Sequence, residues 1–149
     1  MRGASRERLA PYIANSVFAL ELYLKCLLMV VKGKYPQVHS VVALFYDLPD
    51  DEIARLRKLH RQIHRAHFPA GSDLAASPPR SAAPHPESAA AAADARLEAI
   101  LQGAKDAFTV VRYAYERPAE AAGGIPDVTV ATETVRGRLL VLRPEWRTD

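Results

Sequence analysis

The densest set of chemically capable side chains lies in residues 55–67, Arg-Leu-Arg-Lys-Leu-His-Arg-Gln-Ile-His-Arg-Ala-His, with five Arg or Lys, three His and no acid. On a helix, Arg57, Arg61 and Arg65 share one side and His60, His64 and His67 share another. Arg57, Lys58, Arg61 and Arg65 therefore form a candidate phosphate-contacting face, and a solvated basic face is the plainer alternative. His60 and His64 stand one helical turn apart, but no carboxylate or cysteine follows nearby to complete a zinc set, so no metal is expected.

A second set is charged residues inside apolar helical sequence. Glu21 and Lys25 are four apart within Val17–Val31, and Arg112 and Glu116 repeat the spacing in Val-Arg-Tyr-Ala-Tyr-Glu. Buried charges need partners. The pattern predicts a structural network in which Glu21 meets Arg112 and Lys25 meets Glu116 across two helices. Cys26, the lone cysteine, sits among leucines and reads as a buried inert thiol. It cannot form an internal disulfide, which points to a reducing cytoplasm. No P-loop, dinucleotide turn, GxSxG or HExxH is present, and no cofactor is expected.

The elements that must position these groups read as all-α. A chain of 149 residues with 49% hydrophobic and 25% charged residues supports a single globular domain. The net charge of +3 permits a nucleic-acid partner without requiring one. The first helix is predicted over about 9–32, with Pro11 in its first turn and Gly33 beyond its end. Its apolar run of fifteen residues, 17–31, is short for a membrane span and carries Glu21 and Lys25, so a buried helix is expected and no membrane. Being apolar on nearly every face, that helix belongs inside a bundle or beneath a second subunit. His39 or Ser40 caps a short second helix over about 40–47. A third starts at Pro49-Asp-Asp-Glu52 and runs to about His67, its stripe being Ile53, Leu56, Leu59 or His60, and Ile63. Residues 69–93, rich in Pro and Ala, read as a flexible linker. A fourth helix over about 88–117 carries Leu97, Leu101, Ala104, Phe108, Val111 and Tyr115 on one face. In 127–142 the valines and threonines suit a strand, yet Val128, Ala131, Val135, Leu139 and Leu142 make a helical stripe. A helix is preferred, because a lone strand would leave its backbone unpaired.

The stretch Asn15-Ser-Val-Phe-Ala-Leu-Glu21-Leu-Tyr-Leu-Lys25-Cys-Leu-Leu, the following loop with Gly33, Pro36 and His39, and the apolar turn from Leu44 to Leu48 resemble the HEPN (higher eukaryotes and prokaryotes nucleotide-binding) family. Arg112-Tyr-Ala-Tyr-Glu116 is similar to the fourth-helix segment of some HEPN-like proteins. The resemblance implies a bundle of four or five helices, usually dimeric. Many members are ribonucleases of toxin–antitoxin or defence systems, using an arginine with a histidine after four to six residues on a late helix. Carried onto this chain, the arginine is Arg112, and the histidine positions hold Arg117, Pro118 and Ala119. The expectation is therefore a non-catalytic HEPN-like binding or assembly module, acting as a homodimer, with RNA, a nucleotide or a nucleotidyltransferase-type protein as further partner. The same family spacing is also met by Arg55 with His60 and by Arg61 with His67, before the linker and not on the late helix, and histidine suits proton transfer near neutral pH. A ribonuclease using one of these displaced Arg/His pairs and a purely structural interaction subunit are the alternatives.

Overall fold

A computed structural model describes residues 4–67, 86–113 and 128–147, with side chains described over 15–67, 91–105 and 128–147. The described residues form an all-α bundle of five helices: α1 (Ala4–Lys32), α2 (Val41–Tyr46), α3 (Asp50–His67), α4 (Pro86–Tyr113) and α5 (Val128–Leu142), followed by a 3-10 turn at Pro144–Trp146. Among the described residues there is no strand. Of the segment 127–142, Val128–Leu142 is helix, and its stripe explains why: Val128, Ala131, Val135 and Leu139 are all buried on one side. Its threonines adapt to the helix by returning their hydroxyls to the backbone, Thr132 Oγ1 to the Val128 carbonyl and Thr134 Oγ1 to that of Val130, each at 2.7 Å.

α1 is the central element, packed against α2, α4 and α5, while α3 packs against α4 and α5. Leu20, Leu24, Leu27 and Leu28 of α1 are fully enclosed by Leu44 and Phe45 of α2, Leu97 and Leu101 of α4, and Val135 and Leu139 of α5. Each such side chain contributes about 1.5–3 kcal/mol through removal from water. α1 begins earlier than predicted, at Ala4, so Pro11 lies within the helix and not in its first turn. The Arg, Glu, Leu and Ala residues around 6–10 are good helix formers and carry the helix back past the proline. Its end is as predicted: Gly33, at φ +71°, donates its N–H to the Met29 carbonyl at 3.0 Å and turns the chain out.

Ser40 caps α2 through its hydroxyl, which accepts from the Ala43 N–H at 3.3 Å. Lys32 then ties α1 to the C-terminal end of α2, its Nζ reaching the carbonyl and the carboxylate of Asp47, both at 2.8 Å. α4 starts at Pro86, so 86–93 is helix and not linker; the alanine run there is strong helix former behind a proline at the first position. The remaining linker positions up to 85, and Phe108, Val111 and Tyr115 of the fourth-helix stripe, lie outside the described residues or side chains. No helix among the described residues is long and apolar enough to cross a membrane.

Candidate functional site

The basic segment of α3 is largely answered from within the chain. α4 runs against it and offers Asp94 and Glu98, also four residues apart. Arg57 donates to Glu98 Oε1 at 2.6 Å, and Arg61 donates to both Asp94 oxygens at 2.7 and 2.9 Å. Arg96 of α4 donates to His64 Nε2 at 3.0 Å. Lys58 and Arg65 are exposed. Two of the four expected phosphate contacts are thus committed to an α3–α4 zipper.

The two Arg/His pairs are not assembled. Arg55 pairs with Asp51 at 2.8 Å and Glu52 at 3.0 Å. Arg61 is held by Asp94, and His67 donates through Nε2 to Glu133 of α5 at 2.8 Å. His60 is fully buried, facing α5, with Nδ1 3.3 Å from Thr134 Oγ1. The Thr134 hydroxyl proton is already given to the Val130 carbonyl, so its oxygen accepts and His60 Nδ1 carries the imidazole proton. Burial, followed by the neighbouring His64, drives the His60 pKa down from 6.5 to about 4 against the pull of Asp94. A sealed, neutral imidazole is a packing element with no route to a substrate. Among the described residues no group of three or more His, Cys, Asp or Glu is placed to hold a metal ion.

Glu21 is buried and paired with Lys25 Nζ at 2.7 Å, the expected i,i+4 pair. Its other partner is His39 of the α1–α2 loop, whose Nδ1 lies 3.0 Å from the same carboxylate oxygen. Lys25 also stands 5.8 Å from the Tyr35 ring centroid, within cation–π range. The expected matches to the Arg112 side chain and to Glu116 lie outside the described residues.

The most buried charged side chain among the described residues is Glu52, in the first turn of α3 and 2% exposed. Its carboxylate receives Arg138 of α5 through Nε and, at 3.0 Å, through a terminal guanidinium nitrogen, and it also receives Arg55. Burial pushes the Glu52 carboxyl up, but the hydrogen bonds and charges of Arg138 and Arg55 outweigh it and hold the carboxyl below its ordinary value. The same pairing raises Arg138. Glu52 stands four and eight residues before Leu56 and His60, on the buried face, and that phase was the available signal. Arg138, one residue before buried Leu139, was overlooked altogether.

These pairs face inward or across helices. Among the described residues, an exposed apolar surface lies on α1. The exposed residues of its described part are Asn15, Phe18, Leu22, Cys26, Met29 and Lys32, which fall along one stripe at helical spacing. Phe18 is 48%, Leu22 45% and Met29 52% exposed, where core positions on the other side stand near zero. Cys26 is in this stripe and exposed, not buried as its leucine neighbours suggested; in a helix apolar on almost every side, neighbours in sequence do not say which side faces out. On one side the stripe is bounded by Lys25 and buried Glu21, which pair with each other, and on the other by Ala19 and Val30. Beside the second border an open recess of about 280 Å³ lies between α1 and α5, lined by Asn15, Ser16, Ala19, Thr129, Thr132 and Glu133. The chain matches no protein-family model, and no curated protein or solved structure matches it.

Proposed function

We propose that this chain is a non-catalytic, HEPN-like helical assembly module that works as a homodimer through the exposed face of α1. The observation that carries the reading is the uncharged stripe of Phe18, Leu22, Cys26 and Met29 on the helix that also forms the bundle centre. A contiguous apolar patch of this kind marks an interaction surface more often than a solvated one. The enclosure of His60 and the engagement of Arg55, Arg61 and His67 by other partners argue against a ribonuclease centre built from them. The Arg57–Glu98 and Arg61–Asp94 pairs likewise argue against an RNA-phosphate face on α3.

Sedimentation equilibrium on the parent and on Leu22→Glu tests the reading. Leu22 loses burial of roughly 75 Å² in each protomer, about 2 kcal/mol at ~25 cal/mol per Å². Two protomers together give at least ~4 kcal/mol, about a thousandfold in the dimer dissociation constant. The parent is expected to sediment as a dimer and Leu22→Glu as a monomer with unchanged helical circular dichroism. A parent that stays monomeric across the concentration series, or a Leu22→Glu protein that stays dimeric, overturns it.

A further inference from the structure

We infer that one buried water molecule is bound at the junction of α3, α4 and α5, accepting the Arg57 Nε–H and donating to His60 Nε2. The site lies on the inner side of α3 and is independent of the exposed face of α1. Arg57 Nε and His60 Nε2 are both sealed from solvent, and no protein group answers either of them. Buried polar atoms in folded proteins are nearly always hydrogen-bonded, so two such atoms on one helix call for a partner.

The helix brings the two side chains together. Positions 57 and 60 are three apart on α3, the spacing of surface neighbours. Both turn toward the same part of α4. Arg57 reaches Glu98 with a terminal guanidinium nitrogen at 2.6 Å, and the His60 ring feels the charge of Asp94, one turn earlier on that helix.

Their hydrogen-bonding roles are complementary. An arginine Nε carries a hydrogen and can only donate. His60 Nδ1 gives its hydrogen to Thr134 Oγ1 at 3.3 Å, so Nε2 presents a lone pair and can only accept. No hydrogen bond joins the two nitrogens directly. A group between them must therefore accept on one side and donate on the other. A cation there meets the guanidinium, and an anion meets the imidazole lone pair. A small neutral donor and acceptor is what the pair selects, and in an enclosed interior that molecule is water. An unbroken chain of hydrogen bonds then crosses three helices. It runs from Glu98 of α4 through Arg57, the water and His60 to Thr134 of α5 and the Val130 carbonyl. The chain ties the α3–α4 zipper to the α3–α5 contact and fixes the His60 tautomer from both sides of its ring.

The test is NMR on the isotope-labelled full-length chain near neutral pH, where His60 is uncharged. Long-range proton–nitrogen correlation of the imidazoles reports which ring nitrogen is protonated and whether the other accepts a hydrogen bond. The expected result is a protonated Nδ1, an Nε2 shifted upfield of a free imidazole acceptor, and cross-peaks from the Arg57 Nε–H and the His60 Cε1–H to a long-lived water. Arg57→Lys keeps a cation for Glu98 but has no Nε–H. It should move Nε2 back toward the free-acceptor position and remove the His60 water cross-peak. A protonated Nε2, an Nε2 at the free-acceptor position in the parent, or a scalar coupling across a direct Arg57–His60 hydrogen bond overturns the inference. So does an Nε2 signal that Arg57→Lys leaves unmoved.

Discussion

Arg138→Met removes a guanidinium from a carboxylate that has almost no contact with water. Glu52 keeps Arg55, but Arg55 is half-exposed and shared with Asp51, so the carboxylate is left buried and under-compensated. Breaking a buried ion pair on one side costs about 3–5 kcal/mol, and the lower end applies here because one partner remains. That is a sizeable part of the ~5–15 kcal/mol that holds a domain folded. At about 2–4 °C per kcal/mol for a chain of this size, the melting temperature should fall by roughly 6–12 °C. Glu52→Leu alone should cost a similar amount, since it strands Arg138 against α3. The double variant, Glu52→Leu with Arg138→Met, replaces the pair by apolar side chains of comparable bulk and should recover most of the loss. Urea unfolding followed by circular dichroism gives the three free energies and their coupling. Additive losses in the double variant, or an Arg138→Met protein as stable as the parent, would refute the argument that this pair locks α3 to α5. A pH series adds a check with a fixed sign. A carboxyl held low in the fold gives stability that is complete above its ordinary value of 4.5 and disappears as pH falls through the depressed one. The parent should lose stability in that acid range, and the double variant should lose less of it.

His60 acts in a higher window with the same sign. Its pKa is 6.5 when unfolded and about 4 in the fold, so the unfolded chain alone binds the proton between those values. Stability should decline as pH drops from about 6.5 to 4, by at most ~1.4 kcal/mol per unit and roughly 3 kcal/mol in all, and urea midpoints of His60→Leu should lack that limb. Substitutions at Gly137 of α5 and Gly33 after α1 should shift thermal melts in opposite directions. Gly137→Ala places a methyl at ordinary contact, 3.5 Å from Leu59 Cδ2, in mid-helix and should stabilise by about 0.5–1 kcal/mol. Gly33→Ala forces a side chain into the left-handed region that ends α1 and should destabilise by about 1 kcal/mol.

What the sequence makes legible is periodicity and punctuation. Ser40, Pro49 and Gly33 mark ends because each satisfies or refuses specific backbone hydrogen bonds, and the apolar spacing of 128–142 outweighs its β-branched composition. Partner choice is less legible. Glu52 looks like Asp50 and Asp51, and only its phase with Leu56 and His60 distinguishes a buried anion from two solvated ones. The α3–α4 zipper could have been found, since Arg57 and Arg61 share the spacing of Glu98 and Asp94 read in the opposite direction. The reach of His39 back to Glu21 depends on how the α1–α2 loop folds, which no local pattern specifies.

The distribution of satisfied charge is what gives the molecule a direction. On the side built by α3, α4 and α5, Arg57, Arg61 and Arg138 are matched by Glu98, Asp94 and Glu52, His60 is enclosed and His67 is held by Glu133, while Lys58 and Arg65 stay exposed. Such pairs are worth little individually where they reach solvent. Their consequence is that Arg57, Arg61 and Arg138 are already engaged within the bundle. The described exposed face of α1 has the opposite character, with four uncharged side chains between its end residues, Asn15 and Lys32. Leaving Phe18, Leu22 and Met29 in water forgoes roughly 25 cal/mol for every Å² that a partner could cover. A bundle able to pair a glutamate as deep as Glu52 is not short of means to place charge. An uncharged stripe on its central helix is therefore the surface on which the proposed homodimer is to be tested.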